Sequence, residues 1–164
     1  MTKKEQYLDA LDRQFAITTR VLRAYPADKS DLRPHEKLKT ARELAWVFAL
    51  ERYLGQRVWR DELAKGIAGK PPETPSDWSE VLRGVEKANR EMRELVSKAS
   101  DADLDAKVHF LTGPKTMGEM TRIAFLEFLL ADEIHHRGQF SIYLRMAGAK
   151  VPSIYGPTAD EPWM

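Results

Sequence analysis

Residues 123–146, IAFLEFLLADEIHHRGQFSIYLRM, constrain the whole chain. The stretch opens as a helix with apolar side chains on nearly every side: Ile123, Ala124, Phe125, Leu126, Phe128, Leu129 and Leu130. A helix apolar all round belongs in a protein interior. With no breaker, it then runs into Asp132, Glu133, His135, His136 and Arg137, and returns to Phe140, Ile142, Tyr143 and Leu144. An unpaired charge in an interior is costly, so this cluster needs partners and is the place to look for function.

A buried helix needs others around it, and the sequence supplies three. Thr2-Lys-Lys-Glu5 is a capping box, and Leu8, Leu11, Phe15 and Leu22 follow at helical spacing to about Ala24. Tyr25-Pro26 ends that helix, and 26–39 reads as a loop. Thr40-Ala-Arg-Glu43 opens a second helix, with Leu44, Val47, Phe48 and Glu51 on one stripe. Gly55 either ends that helix or lets Gln56–Lys65 continue at an angle, before a Gly/Pro-rich link over 66–75. Trp78, Val81, Val85, Ala88, Met92, Leu95 and Ala99 form a heptad seam, the mark of a third bundle helix. Ser100–Asp105 reads as an acidic turn and Val108–Leu111 as a brief apolar segment. Thr116-Met-Gly-Glu119 reads as a third capping box that opens the fourth helix, which Gly148 stops. The tail VPSIYGPTADEPW is expected to pack back on the bundle in extended form. No useful strand-period alternation is seen, so the fold expected is an all-α four-helix bundle with long connections, one domain over residues 1–164.

Composition narrows the function. The 26 Lys and Arg against 25 Asp and Glu leave no basic excess, which argues against nucleic acid as a partner. No cysteine means no disulfide framework, no thiolate metal site and no cysteine nucleophile. The first residues, MTKKEQYLDALD, carry no apolar export core, and no window approaches the roughly 20 apolar residues of a membrane span, so a cytoplasmic protein is expected. Phosphate-cradling glycine loops and serine nucleophiles on sharp turns are not recognisable, and Glu-x-x-His occurs only once, whereas di-iron bundles need it on two helices.

Asp132 and His136 are four residues apart and share a helical face with Leu129, Phe140 and Tyr143. An oxygen and an imidazole projecting inward from one helix are how bundles build metal sites, and a third ligand must come from another helix. Glu51 is the best candidate, since a carboxylate on an apolar stripe has no other explanation. The competing reading is a satisfied polar network, in which Asp132 hydrogen-bonds a neighbouring histidine. Glu133 and Arg137, also four apart, would form an ordinary ion pair. His135 points about 100° away from His136 and reads as a surface or supporting residue. His35 and His109 lie in loop or short extended segments. Gly138 inside the helix suggests close approach of another backbone, from a neighbouring helix or a second subunit, and Met117, Met120 and Met146 read as core filler.

The block HHRGQ (135–139), followed by YLRMAG and VPSIYGPTADE, resembles the DinB/YfiT-like superfamily of bacterial four-helix-bundle proteins. PHEKLKTARELAW (34–46) is similar to that family's approach to its second helix. The resemblance implies one divalent metal, often zinc or nickel, held by three histidines: one from the second helix and a His-x-x-x-His on the fourth. Here the last of these matches His136, the one before it falls on Asp132, and the second-helix histidine falls on or next to Val47. Asp132 can still ligate and Val47 cannot. Either Glu51, one turn on, takes its place, giving an oxygen-rich site suited to Mn, Fe(II) or Zn, or the metal has been lost. The resemblance further implies an S-transferase dependent on a low-molecular-weight thiol, acting on a small molecule, and a homodimer. The alternative is a non-catalytic bundle that uses the former pocket for ligand binding or assembly.

Overall fold

The computed structural model describes residues 1–65 and 69–164. Four long helices form the bundle: α1 (Lys3–Arg23), α2 (Ala41–Trp59), α3 (Trp78–Ser97) and, after a short α4 (Asp101–Asp105), α5 (Arg122–Met146). A hairpin, β1 (Lys107–Gly113) and β2 (Thr116–Thr121), precedes α5. Helices α1 and α2 each pack against both α3 and α5, so α2 faces α5 across one side of the bundle.

Both N-terminal capping boxes form as read. Thr2 accepts from the Glu5 amide and Thr40 from the Glu43 amide, each glutamate returning to the cap amide. Helix α2 does not stop at Gly55 but runs to Trp59, with turns over 60–65 beyond it. A Cβ on Gly55 would stand 2.9 Å from Cδ1 of Leu129 and 3.2 Å from Sδ of Met92, so the glycine lets α2 approach α3 and α5 closely. The 66–75 link has no regular structure from Gly69 onward, and 66–68 lie outside the described residues. The α3 seam is buried from Trp78 to Met92 and then passes to Val96, leaving Leu95 half-buried. A straight helix drifts relative to a strict seven-residue repeat, which accounts for the shift.

The fourth long helix corrects the expectation. Thr116-x-x-Glu119 is not a cap; it lies in β2, paired antiparallel with β1, and α5 begins only at Arg122 with Thr121 accepting from the Ala124 amide. The turn at Gly113–Thr116 has Lys115 at φ +58°, and Val108 is buried against Val58, Phe125 and Leu129. That packing, remote in sequence, selects the hairpin. Met117 and Met146 are exposed and are not core filler, whereas Met120 packs under the hairpin. The tail folds back as expected: Val151, Pro152 and Ser153 are buried, and Asp160 holds both the Val151 amide and Arg145.

Besides the cluster of Val58, Val108, Phe125 and Leu129 under the hairpin, two apolar clusters fill the bundle among the described residues. One contains Trp46, Trp78, Phe140 and Leu144, and the other Tyr7, Leu11, Met92 and Leu126. Along each long helix the buried polar residues (Thr18, Glu51 with Arg52, Asn89, Glu133 with Arg137) fall between these clusters. The bundle therefore has a polar waist, and the site lies at its edge.

Candidate metal centre

Because α2 packs on α5, Glu51 meets Asp132 and His136. Nε2 of His136 lies 3.7 Å from Oε1 of Glu51 and 3.6 Å from Oδ1 of Asp132. One donor atom from each residue lies within 4.8 Å of the other two. The two separations from His136 are too long for hydrogen bonds, which removes the reading of Asp132 as hydrogen-bonded to that ring. They suit three ligands around one small cation, since donors about 2.0–2.2 Å from a shared ion stand roughly 3–4 Å apart.

Glu51 is the unusual member. It is 5% exposed, and neither of its carboxylate oxygens has a hydrogen-bond partner among the described residues. Burial pushes its carboxyl up to about 9, opposed by Arg52 and reinforced by the charges of Asp132 and Glu133 and by the Asp132 carboxylate, which can accept the Glu51 proton. The Arg52 guanidinium comes only to 4.0 Å, too far to satisfy it. In the metal-free protein Glu51 therefore holds a proton, and a cation displacing that proton would partner both oxygens. The residues present therefore fit a divalent metal.

The other ionisable groups of the waist are accounted for differently. Glu133 and Arg137 do not pair with each other. Glu133 takes the Arg52 guanidinium on one oxygen and the Thr18 hydroxyl, at 2.6 Å, on the other. Arg137 donates to the Gln14 carbonyl (3.0 Å), Thr18 Oγ1 (3.1 Å), Gln14 Oε1 (2.7 Å) and Tyr155 Oη (2.6 Å). Arg52 also donates from Nε to Asn89 Oδ1 at 3.2 Å. Both partners of Glu133 come from outside α5, so neither can be read from spacing along that helix. The one local signal of this network is Arg52 beside Glu51 on a mostly apolar helix.

Val47, where the family resemblance puts a histidine, is half-buried and carries no ligand atom. It lines a cavity of about 440 Å³ with Leu50, Glu51, Leu54, Pro72 and Asp132. A second cavity of about 340 Å³ lies on the His136 side, walled by Leu44, Lys39, Gln139 and Tyr143. The cluster thus sits between two cavities, each large enough for a small organic group.

The remaining histidines lie elsewhere. His35 is exposed, and its Nδ1 accepts from the Lys37 amide. His109 sits between Asp61, 3.1 Å from Nδ1, and Glu119, 3.4 Å from Nε2, tying the hairpin to the end of α2. His135 is exposed but not idle. Gln139 bridges it to His136, with Oε1 3.0 Å from Nδ1 of His136 and Nε2 2.9 Å from Nε2 of His135. Among the described residues, nothing beyond its own turns of helix lies within 4 Å of a Cβ placed on Gly138, so no neighbouring helix makes the close approach expected there.

Known proteins share this architecture. A DinB-like protein from Bacillus cereus ATCC 10987 superimposes with a TM-score of 0.75 at 22% identity, over 92% of this chain and 97% of that one. The DinB-like protein YjoA of Bacillus subtilis gives 0.71 at 18% identity, over 91% and 97%. The uncharacterized protein YrdA of Bacillus subtilis (strain 168) is 32% identical over 74 residues, a stretch spanning 45% of this chain and 41% of that relative. The model of the DinB family matches residues 1–163, and the chain belongs to that family.

Proposed function

We propose that Glu51, Asp132 and His136 hold one divalent metal ion, and that the chain is a metal-dependent enzyme transferring a low-molecular-weight thiol to a small electrophile. The observation that carries this reading is Glu51, a buried carboxylate with two unpartnered oxygens beside an aspartate and a histidine. Two oxygens and one nitrogen suit Mn, Fe(II) or Zn, with Ni the fourth candidate. When bound, the cation supplies Lewis acidity that lowers the pKa of a thiol entering the cavity. The chain has no cysteine, so the thiol comes with the cofactor. Val47, Leu50 and Leu54 give one cavity a dry wall, and Leu44 and Tyr143 shape the other, leaving space for thiol and acceptor on either side. A cytoplasmic location, where thiols are kept reduced, fits this chemistry.

The test is metal content by plasma mass spectrometry on untagged protein purified without chelator. About one equivalent in the wild type, lost in Asp132→Ala and Glu51→Ala, is expected. Less than about a tenth of an equivalent after incubation with Zn, Ni, Mn or Fe(II) would sink the metal reading. Val47, apolar where the family resemblance puts a ligand, then favours a non-catalytic bundle that binds a small apolar ligand in the same cavity.

We further infer a homodimer through the outer face of α5. Ala124, Phe128, Ala131, His135, Gly138 and Ile142 are all exposed and follow a heptad rhythm. An antiparallel pairing about the level of Glu133 sets Phe128 against Gly138 of a second copy, Ala124 against Ile142, and Ala131 against His135. Large meets small at every step, so the face is complementary to itself, as a two-fold interface requires. Sedimentation equilibrium should find a dimer that Phe128→Glu converts to monomer; a wild type that stays monomeric at roughly 100 μM removes the inference.

A further inference from the structure

Gln139 touches two histidines at once. It lies three residues after His136 and four after His135, so one amide reaches both rings on the outer side of α5. An amide has one accepting end and one donating end. With Oε1 3.0 Å from Nδ1 of His136, that nitrogen must carry the hydrogen, because two acceptors cannot bond. The other end donates across 2.9 Å to Nε2 of His135, which must then be the bare nitrogen of that ring. One side chain thereby sets the tautomers of both histidines.

We propose that Gln139 is a positioning residue for His136: it holds the ring with the proton on Nδ1, so that the lone pair of Nε2 faces Glu51 and Asp132. Left alone, the ring would turn a hydrogen toward those two carboxyl groups, which stand 3.7 and 3.6 Å from Nε2. The bridge from the solvent side opposes that choice. It presents a ready nitrogen donor at the one atom that borders both oxygen ligands, as supporting hydrogen bonds do for histidines that bind metal. The inference deepens the metal reading above, on which its consequence for affinity rests; the tautomer itself does not depend on it.

The experiment is long-range ¹H–¹⁵N correlation NMR of the metal-free protein at about pH 8, where neutral imidazole tautomers are distinguished. It is paired with Zn²⁺ competition against a chromophoric chelator. The wild type should show His136 protonated on Nδ1. Gln139→Leu should move the proton to Nε2 and raise the Kd for Zn²⁺ about tenfold. Gln139→Glu, which still accepts from Nδ1, should restore both. The side chain is exposed, so neither variant threatens folding. An Nε2-protonated His136 in the wild type overturns the proposal. So does a tautomer unmoved by Gln139→Leu, or one that moves in a zinc-binding protein without changing its Kd. If the wild type binds no divalent ion, the metal reading fails, and the tautomer comparison still decides the role of Gln139.

Discussion

Oε1 of Glu51, on α2, lies 3.7 Å from Nε2 of His136, on α5, with no hydrogen bond to either oxygen of that carboxylate among the described residues. The protein keeps an ionisable group in its interior and leaves it unsatisfied, a cost that structure alone does not reward.

Replacing Glu51 by leucine separates stability from function. Removing a buried group that has no partner should raise the stability of the metal-free protein by about 1–3 kcal/mol, read by urea denaturation. The same variant should lose any stabilisation that the wild type gains on adding Zn²⁺ or Mn²⁺. A destabilised metal-free variant would show that Glu51 has an internal partner after all.

The pH dependence of the metal-free protein follows from the same residue. Burial raises its folded pKa from 4.5 to about 9, so the folded state holds a proton that the unfolded state releases. Its contribution to stability is full below 4.5, declines as pH rises through the window between, and is gone above about 9. Glu51→Gln has no such proton, so the wild type minus variant difference in unfolding free energy should fall steadily from about pH 5 to about pH 9. A flat difference would place the carboxylate in an ionised, compensated state.

Arg52 and Glu133 form the central pair of the polar waist, 2% and 1% exposed. Arg52→Met leaves Glu133 buried with only Thr18 and should cost about 3–5 kcal/mol in urea denaturation. The double variant with Glu133→Leu should recover most of that loss, because an apolar pair of similar volume replaces an ion pair at little net cost. Equal loss in single and double variants would mean the pair adds stability beyond mutual compensation.

Gly84 on α3 lies under the ring of Trp46, where a Cβ would come to 2.7 Å of Cη2. The indole N–H of Trp46 in turn donates to the Pro72 carbonyl at 3.1 Å, and Pro72 walls the larger cavity. Gly84→Ala would gain up to about 1 kcal/mol from helix propensity but should lose a net 1–3 kcal/mol, roughly, through overpacking. The readout is urea stability together with the Trp46 indole resonance in a ¹H–¹⁵N spectrum, which should move. An unmoved resonance with unchanged stability would show that α3 yields to the ring.

Much of this was legible in the chain. Thr2 and Thr40 cap their helices as read, because a capping box is complete within four residues and needs nothing from the rest of the fold. The α3 seam and the shared face of Asp132 and His136 follow from 3.6 residues per turn, which is equally local. Thr116 shows the limit. The same four-residue pattern that marks a cap elsewhere sits in a strand here, because Val108 finds Val58, Phe125 and Leu129 to pack against.

Neighbours a few positions away set the starts of α1 and α2, the apolar face of α3, and which residues of α5 stand together. Which side chains meet across the bundle, and where α5 begins, came from packing between distant segments. It gave Glu133 to Arg52 and Thr18 rather than to Arg137, brought Glu51 beside His136, and left the Glu51 oxygens without a donor. Those outcomes depend on the rotation, register and depth of packed helices, and burial fixes them through the summed contacts of distant residues, which no periodicity along one segment contains.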